Sequence, residues 1–299
     1  MDTLTLGDVE ITRVPELPAR GRARGYVFPD VPREHWRANE SWLAPTFLDP
    51  AADEVRLLIQ TWLVRSGGRT ILIDTGVGND RERPAMPNFH RLNTDYLTRL
   101  TAAGVRPQDV DTVICTHIHV DHVGWNTHLT DGGQWRPTFP HAQYLIPRAD
   151  FDYFNPANGH RTRAGAQMAN VFEDSITPVH QAGQTLLWEG DHHDVDAQLR
   201  IEPAPGHTPG SAVVWLRSGT HQAVFAGDLL HSPLQIVEPD DCPGFDEDEP
   251  RARSSRRRVL GEAADRGALL LPAHFPGPGA AEVRRAGDRF AVRAWAAWR

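Results

Sequence analysis

The chain contains no lysine: all 31 basic residues among its 299 are arginine. A lysine Schiff base, a lysine general base and a lysine anchor for substrate are therefore excluded. Cysteine is nearly absent too. Cys115 and Cys242 do not make a disulfide framework, and a reducing cytoplasm is the simplest compartment to expect. No apolar run approaches the roughly 18 residues that span a bilayer, so no membrane partner is expected. The opening MDTLTLGDVEITRV places acids among its apolar residues and has no basic stretch ahead of an apolar one, so no secretory signal is read there. Positive charge is in deficit, with a net charge of −8. That repels phosphate backbones unless a local basic patch overrides it, and nucleic acid is not expected as a partner.

The rest of the composition is ordinary. Hydrophobic residues make up 40% and charged residues 23%, which excludes widespread disorder and a coiled coil. A chain of this length can bury a large core, and residues 1–299 are expected to fold as one domain. Val9 to Val14 reads as a strand. Pro15 to Pro50 reads as a long irregular loop, rich in proline and arginine, that carries Tyr26, Phe28, Trp36, Trp42 and Phe47. Its aromatics are expected to pin the loop to the core; a homodimer formed through them is the other use of such a segment.

Further on, Leu57 to Val64 and Thr70 to Asp74 read as strands around a Ser-Gly-Gly-Arg turn. Thr94 to Ala103 has helical spacing, with Asn93 as N-cap and Gly104 as stop. Short strands are expected at Asp111 to Cys115, Gln143 to Ile146, Leu199 to Glu202 and Ala268 to Leu271, and a hairpin at Ala212 to Leu216 and Gln222 to Ala226. Arg148 to Phe154 and Arg251 to Arg266 read as helices, with Arg256-Arg257-Arg258 as a solvated face. Strands mixed with helices in both halves point to an α/β sandwich.

Histidine is in excess, at 15 residues. Thr116-His117-Ile118-His119-Val120-Asp121-His122 follows directly on a buried strand and places three imidazoles and a carboxylate within six residues. Both groups are good ligands for zinc and similar divalent cations. On extended chain His117 and His119 point to the same side, and the chain must turn to bring Asp121 and His122 to a neighbouring point. One cation cannot take all four together with further partners, so the spacing suggests two adjacent metal positions. His207, Asp228 and His274 each end an apolar strand in a Gly/Pro-rich loop: Pro-Gly-His-Thr-Pro-Gly, Ala-Gly-Asp-Leu-Leu-His and Pro-Ala-His-Phe-Pro-Gly. Loops at strand ends are where a rigid sheet positions functional groups. His231, three residues after Asp228, is expected to line the same cavity. Asp74 is expected to bond loop N–H groups and to steady a ligand, and His192-His193 to be a solvated turn. Trp125 and the aromatic N-terminal segment are expected to wall an apolar pocket.

On Leu-Ile-Asp-Thr-Gly at 72–76, HxHxDH at 117–122, Gly-His-Thr-Pro-Gly at 206–210, Gly-Asp at 227–228 and Pro-Ala-His at 272–274, the chain resembles the metallo-β-lactamase-fold hydrolases. Within them it looks most like the branch of N-acyl-homoserine-lactone lactonases and methyl parathion hydrolase. The resemblance implies an αββα sandwich of two mixed β-sheets flanked by helices. It also implies two divalent metal ions, zinc above all: His117, His119 and His207 on one, Asp121, His122 and His274 on the other, and Asp228 bridging. A hydroxide shared by two such ions can attack a carbonyl carbon. Asp121 and His231 are then the expected catalytic residues, Asp121 orienting the nucleophile or passing its proton on, and His231 bonding the carbonyl or leaving oxygen. The implied reaction is the opening of a small-molecule lactone or related carboxylic ester, and with the lactonases comes quorum quenching. The related lactonases use a tyrosine in that neighbourhood, and His231 departs from them. Phosphotriester or aryl-ester hydrolysis is the alternative, favoured by Gly-Asp-Leu-Leu-His; a non-catalytic metal-binding protein on the same fold is the third reading.

Overall fold

Glu54–Ser66 is rich in β-branched and aromatic residues and is buried along most of its length, as suits a strand enclosed on both sides. The computed structural model, which describes residues 2–299, places it inside one sheet. The order of that sheet is Thr3–Leu6, Val9–Ala23, Glu54–Ser66, Arg69–Ile73, Thr112–Ile114, Gln143–Pro147 and Thr185–Trp188, with Leu48–Asp49 also on Glu54–Ser66. Pairing is antiparallel as far as Arg69–Ile73 and parallel beyond it. The second sheet runs in chain order through His193–Asp194, Leu199–Pro203, Ala212–Ser218, His221–Gly227, Leu269–Pro272, Ala281–Ala286 and Arg289–Trp295. Its one parallel pair, His221–Gly227 with Leu269–Pro272, is joined through helix Glu249–Arg266.

The two sheets face each other. Trp62, Ile71, Ile73 and Ile114 of the first share a buried cluster with Val214, Phe225 and Leu271 of the second. Helices cover the outer faces: Tyr96 and Leu100 pack with the first sheet, and Trp36, Val259 and Leu260 with the second. Each such side chain contributes about 1.5–3 kcal/mol by leaving water. This is the expected αββα arrangement of two mixed sheets between helices. No helix among the described residues is long and apolar enough to cross a membrane.

The segment 15–50 departs from expectation. It is not an irregular loop: the strand from Val9 continues to Ala23, and Arg33–Leu43 is a helix. Proline concealed the strand. Pro15 and Pro18 lie where its register against Glu54–Ser66 shifts, between Pro15 and Leu17 and between Leu17 and Arg20, and such bulges tolerate a missing N–H. Phe28, Trp36 and Phe47 are buried in the core, which removes the compositional ground for a dimer through them. Asn93 does not cap the helix at Tyr96–Ala102; the Asn79 side chain accepts from the Thr94 N–H instead.

The arginine run also differs. Arg256 is 1% exposed, so it is no part of a solvated face. Its guanidinium donates to the carbonyls of Leu229 (2.8 Å), Pro239 (2.8 Å) and Asp241 (3.0 Å) and pairs with Asp246 at 3.4 Å. Arg257 and Arg258 remain at the surface. Arg256→Ala leaves these buried acceptors unpaired and is expected to cost about 3–5 kcal/mol in urea denaturation, against about 1 kcal/mol or less for Arg258→Ala.

Candidate metal centre

The loops that leave the strand ends converge at one edge of the two sheets. Asp74 follows Arg69–Ile73, the His117–His122 loop follows Thr112–Ile114, His207 follows Leu199–Pro203, Asp228 follows His221–Gly227 and His274 follows Leu269–Pro272. The structure thus gathers all seven expected ligand residues. Ligand atoms of His117, His119, His207 and Asp228 lie within 4.8 Å of one another, as do those of Asp121, His122 and His274, and those of Asp228, His231 and His274.

Asp228 sits between the groups and divides its oxygens. Its Oδ2 is 3.7 Å from His117 Nε2 and 3.3 Å from His207 Nε2; its Oδ1 is 3.2 Å from His122 Nε2 and 2.9 Å from His274 Nε2. Asp121 lies 3.7 Å from Nε2 of both His122 and His274.

The far ring nitrogens are held from behind. Nδ1 of His122 meets Asp74 at 2.9 Å, Nδ1 of His207 meets Asp246 at 2.8 Å, and Nδ1 of His274 meets the Leu58 carbonyl at 2.9 Å. A proton on each Nδ1 leaves the Nε2 lone pair aimed inward, which is how metal-binding histidines are oriented. His207 Nε2 also faces His119 Nδ1 at 2.9 Å.

The inward atoms are left wanting. Among the described residues, Nε2 of His117 and His122 and Oδ1 of Asp228 are buried without a hydrogen-bond partner. Each such atom costs about 1–3 kcal/mol, a penalty that a cation would relieve. The donor set of imidazole nitrogen and carboxylate oxygen fits zinc and similar divalent ions.

The rings divide in charge: burial opposes the charged forms of His122 and His274, but Asp228 and its neighbouring carboxylates outweigh it and raise both. Burial drives the His117 and His119 pKa values well down, with neighbouring imidazoles adding to the effect, so both rings are neutral. Burial opposes the Asp228 carboxylate, yet the surrounding histidines outweigh it and hold its pKa far below the usual range. Burial likewise lowers His207, but its bonds to Asp228 and Asp246 raise it to about 9. His231 is lowered by burial; its Nε2 bonds Asp228 Oδ2 at 2.9 Å and its Nδ1 is buried without a partner.

Three supporting carboxylates went unread in the sequence. Asp246 holds His207 and looks like any other acid of the Asp246 to Glu249 run. Asp150, in helix Arg148–Phe154, accepts from the N–H groups of Ile118 (2.9 Å) and Gly210 (2.6 Å) and from the Thr208 hydroxyl (2.8 Å), tying two ligand loops together. Burial lifts its pKa to about 6. Glu16 accepts from the N–H groups of Val77 and Gly78 and from the Trp125 indole. Asp74 does what was expected, accepting from the Thr116 N–H as well as meeting His122. It adopts φ 57°, a left-handed conformation suited to the sharp turn after its strand.

A pocket opens over the cluster. His119, Asp121, Asp228, His231 and His274 contribute to it, with Leu17, Ile59, Met86, Phe89, Met168 and Phe245 among its apolar walls. Trp125 does not line it, contrary to expectation. It is buried beneath the loop, stacked on Tyr96 at 5.2 Å. Of the N-terminal aromatics only Tyr26 reaches the pocket.

Comparison with known proteins gives the same picture. The family described as the metallo-beta-lactamase superfamily matches residues 56–291. Metallo-beta-lactamase domain-containing protein 1 of Xenopus laevis is 30% identical over 70% of this chain and 68% of its own length. Acyl-coenzyme A thioesterase MBLAC2 of Gallus gallus is 27% identical over 78% of both chains. The solved structure of AidC, a dizinc quorum-quenching lactonase, superposes with a TM-score of 0.77 at 21% identity, covering 98% of this chain and 97% of that one, a likeness of fold.

Asp74→Asn retains an acceptor for Thr116 but weakens the hold on His122. Zinc affinity, read by competition with a chromogenic chelator, is expected to fall about 10–100-fold.

Proposed function

The chain belongs to the metallo-beta-lactamase superfamily, and from that premise we propose that it is a metal-dependent hydrolase that opens a lactone or a related carboxylic ester. One observation carries the reading: the two oxygens of Asp228 face two separate sets of inward imidazoles at the base of an apolar pocket. His117, His119 and His207 would hold one divalent ion, and Asp121, His122 and His274 the other, with Asp228 shared; zinc suits this donor set best. Bound there, such ions supply Lewis-acid polarisation of a carbonyl and water acidified towards neutrality.

The chain's own groups do the remaining work. The apolar walls seat the acyl chain and exclude bulk water, which strengthens every charge interaction at the pocket base. Asp121, 17% exposed, is the most open carboxylate of the cluster. It takes the proton of the attacking water and returns it to the leaving oxygen. His231, neutral and hydrogen-bonded to Asp228, steadies that carboxylate and presents its ring to the leaving group. The thioesterase and lactonase names of the relatives both denote acyl-group chemistry, which supports a carbonyl carbon over phosphorus as the centre attacked. The thioesterase likeness, across 78% of both chains, also favours a thioester as a second substrate type.

A panel of lactones, aryl esters, acyl thioesters and phosphotriesters, ranked by kcat/KM on zinc-loaded protein, tests the reading. Carboxylic substrates are expected to lead; phosphotriesters in the lead, or salt-sensitive RNA binding with no turnover, would contradict it. His119→Ala and Asp228→Ala are expected to lose bound zinc, and with it about 10³-fold or more in kcat/KM. His231→Ala is expected to keep its zinc by elemental analysis and lose about tenfold in kcat; unchanged kinetics would reduce His231 to a packing residue.

A further inference from the structure

Two guanidinium groups share the pocket with the His/Asp cluster, and neither forms an ion pair among the described residues. The register of Val9–Ala23 against Glu54–Ser66 slips at Pro15/Leu17 and again at Leu17/Arg20. Such bulges re-aim side chains. After the second slip Arg20 and Arg22, two residues apart and so on one side of the strand, both line the pocket. Other arginines of this segment are neutralised: Arg13 by Asp2 and Arg24 by Asp53. Among the described residues neither Arg20 nor Arg22 forms an ion pair. The one hydrogen bond of Arg22 goes to the carbonyl of its neighbour Gly21, at 3.3 Å.

Arg22 is half-buried and placed. Its guanidinium carbon lies 5.7 Å from the centre of the Phe89 ring, itself part of the pocket wall. Burial, and next the charge of Arg20, lower its pKa, while the charges of Asp121, Tyr26 and Glu54 oppose them. Arginine remains protonated under such shifts. In a chain of net charge −8, two cations without an ion-pair partner among the described residues add positive charge to the wall of a pocket whose base carries Asp121 and Asp228, and so offer an anionic ligand a place away from those carboxylates.

We propose that Arg20 and Arg22 form an anion subsite, and that the substrate carries a carboxylate or phosphate joined by an apolar stretch to its scissile acyl bond. The proposal rests on the hydrolase reading for the bond that is cleaved, but not for the anion that is held. The guanidinium fork matches either anion through two parallel hydrogen bonds, and the apolar walls take the chain between the two ends.

The test compares p-nitrophenyl esters of equal chain length ending in a methyl group, a carboxylate or a phosphate, on zinc-loaded protein. The kcat/KM ratio of one anionic ester to the neutral one is expected to be about tenfold or more, and to fall about tenfold in the Arg20→Gln/Arg22→Gln double variant. Arg22→Lys, which keeps the charge but not the fork, is expected to retain only part of the ratio. Whichever anionic arm leads identifies the group recognised. A wild-type protein without anionic preference overturns the proposal. So does a preference that survives the double substitution, which would assign the anion to the metal cluster and Arg22 to the service of Asp121.

Absence of turnover on every ester would defeat the hydrolase reading alone. Calorimetric binding of monomethyl suberate against dimethyl suberate then decides the subsite. Tighter binding of the monoanion by wild type, lost in the double variant, supports it, and equal binding by the two proteins overturns it.

Discussion

Asp228 is the constraint on which the site depends. A buried carboxylate with imidazoles on both sides of it is tolerable only if its charge is answered from each side. Its Oδ2 faces His117 and His207, and its Oδ1 faces His122 and His274. Protons on the rings can answer it in part, as the raised pKa of His207 shows. They cannot satisfy the whole cluster, because His117 and His119 are driven neutral and Nε2 of His117 remains unpaired. Two cations would satisfy both sides at once. This is the physical content of the proposal that Asp228 is shared.

Such an arrangement requires rigid positioning, and the fold supplies it from both halves. The clustered histidines and aspartates leave the ends of strands in two sheets that are cemented by a common core. Buried carboxylates then fix the loops: Asp74 behind His122, Asp246 behind His207, and Asp150 between the 117–122 and 206–210 loops. Arg256 ties Asp246 to the carbonyl of Leu229, the residue after Asp228, so one surface helix steadies ligands of the second sheet. The first sheet does the same from the other side, where Glu16 pins the turn at Val77 and Gly78 to Trp125.

The convergence of these histidines and aspartates was legible because its signals are local. HxHxDH fits in six residues, and His207, Asp228 and His274 each stand in a Gly/Pro-rich loop after an apolar run. The two mixed sheets and most strands follow from the same alternation of apolar runs and turns. What supports the ligands was not legible, because its meaning comes from partners distant in sequence. Asp246 is one of several acids before a helix, Arg256 one of three arginines in a row, and Glu16 an acid between prolines; only folding distinguishes the buried one from its neighbours. The strand at 15–23 was hidden by Pro15 and Pro18, whose missing N–H groups are excused by register shifts that no local pattern announces. Those same shifts turn Arg20 and Arg22 towards the pocket, so the chemistry of that wall was hidden with the strand.

The sharing of Asp228 is tested most directly by anomalous diffraction at the zinc absorption edge from crystals of the zinc-loaded protein. Two peaks are expected, one among His117, His119 and His207 and one among Asp121, His122 and His274, with an oxygen of Asp228 in contact with each. A single peak, or peaks that leave Asp228 unbound, would contradict it.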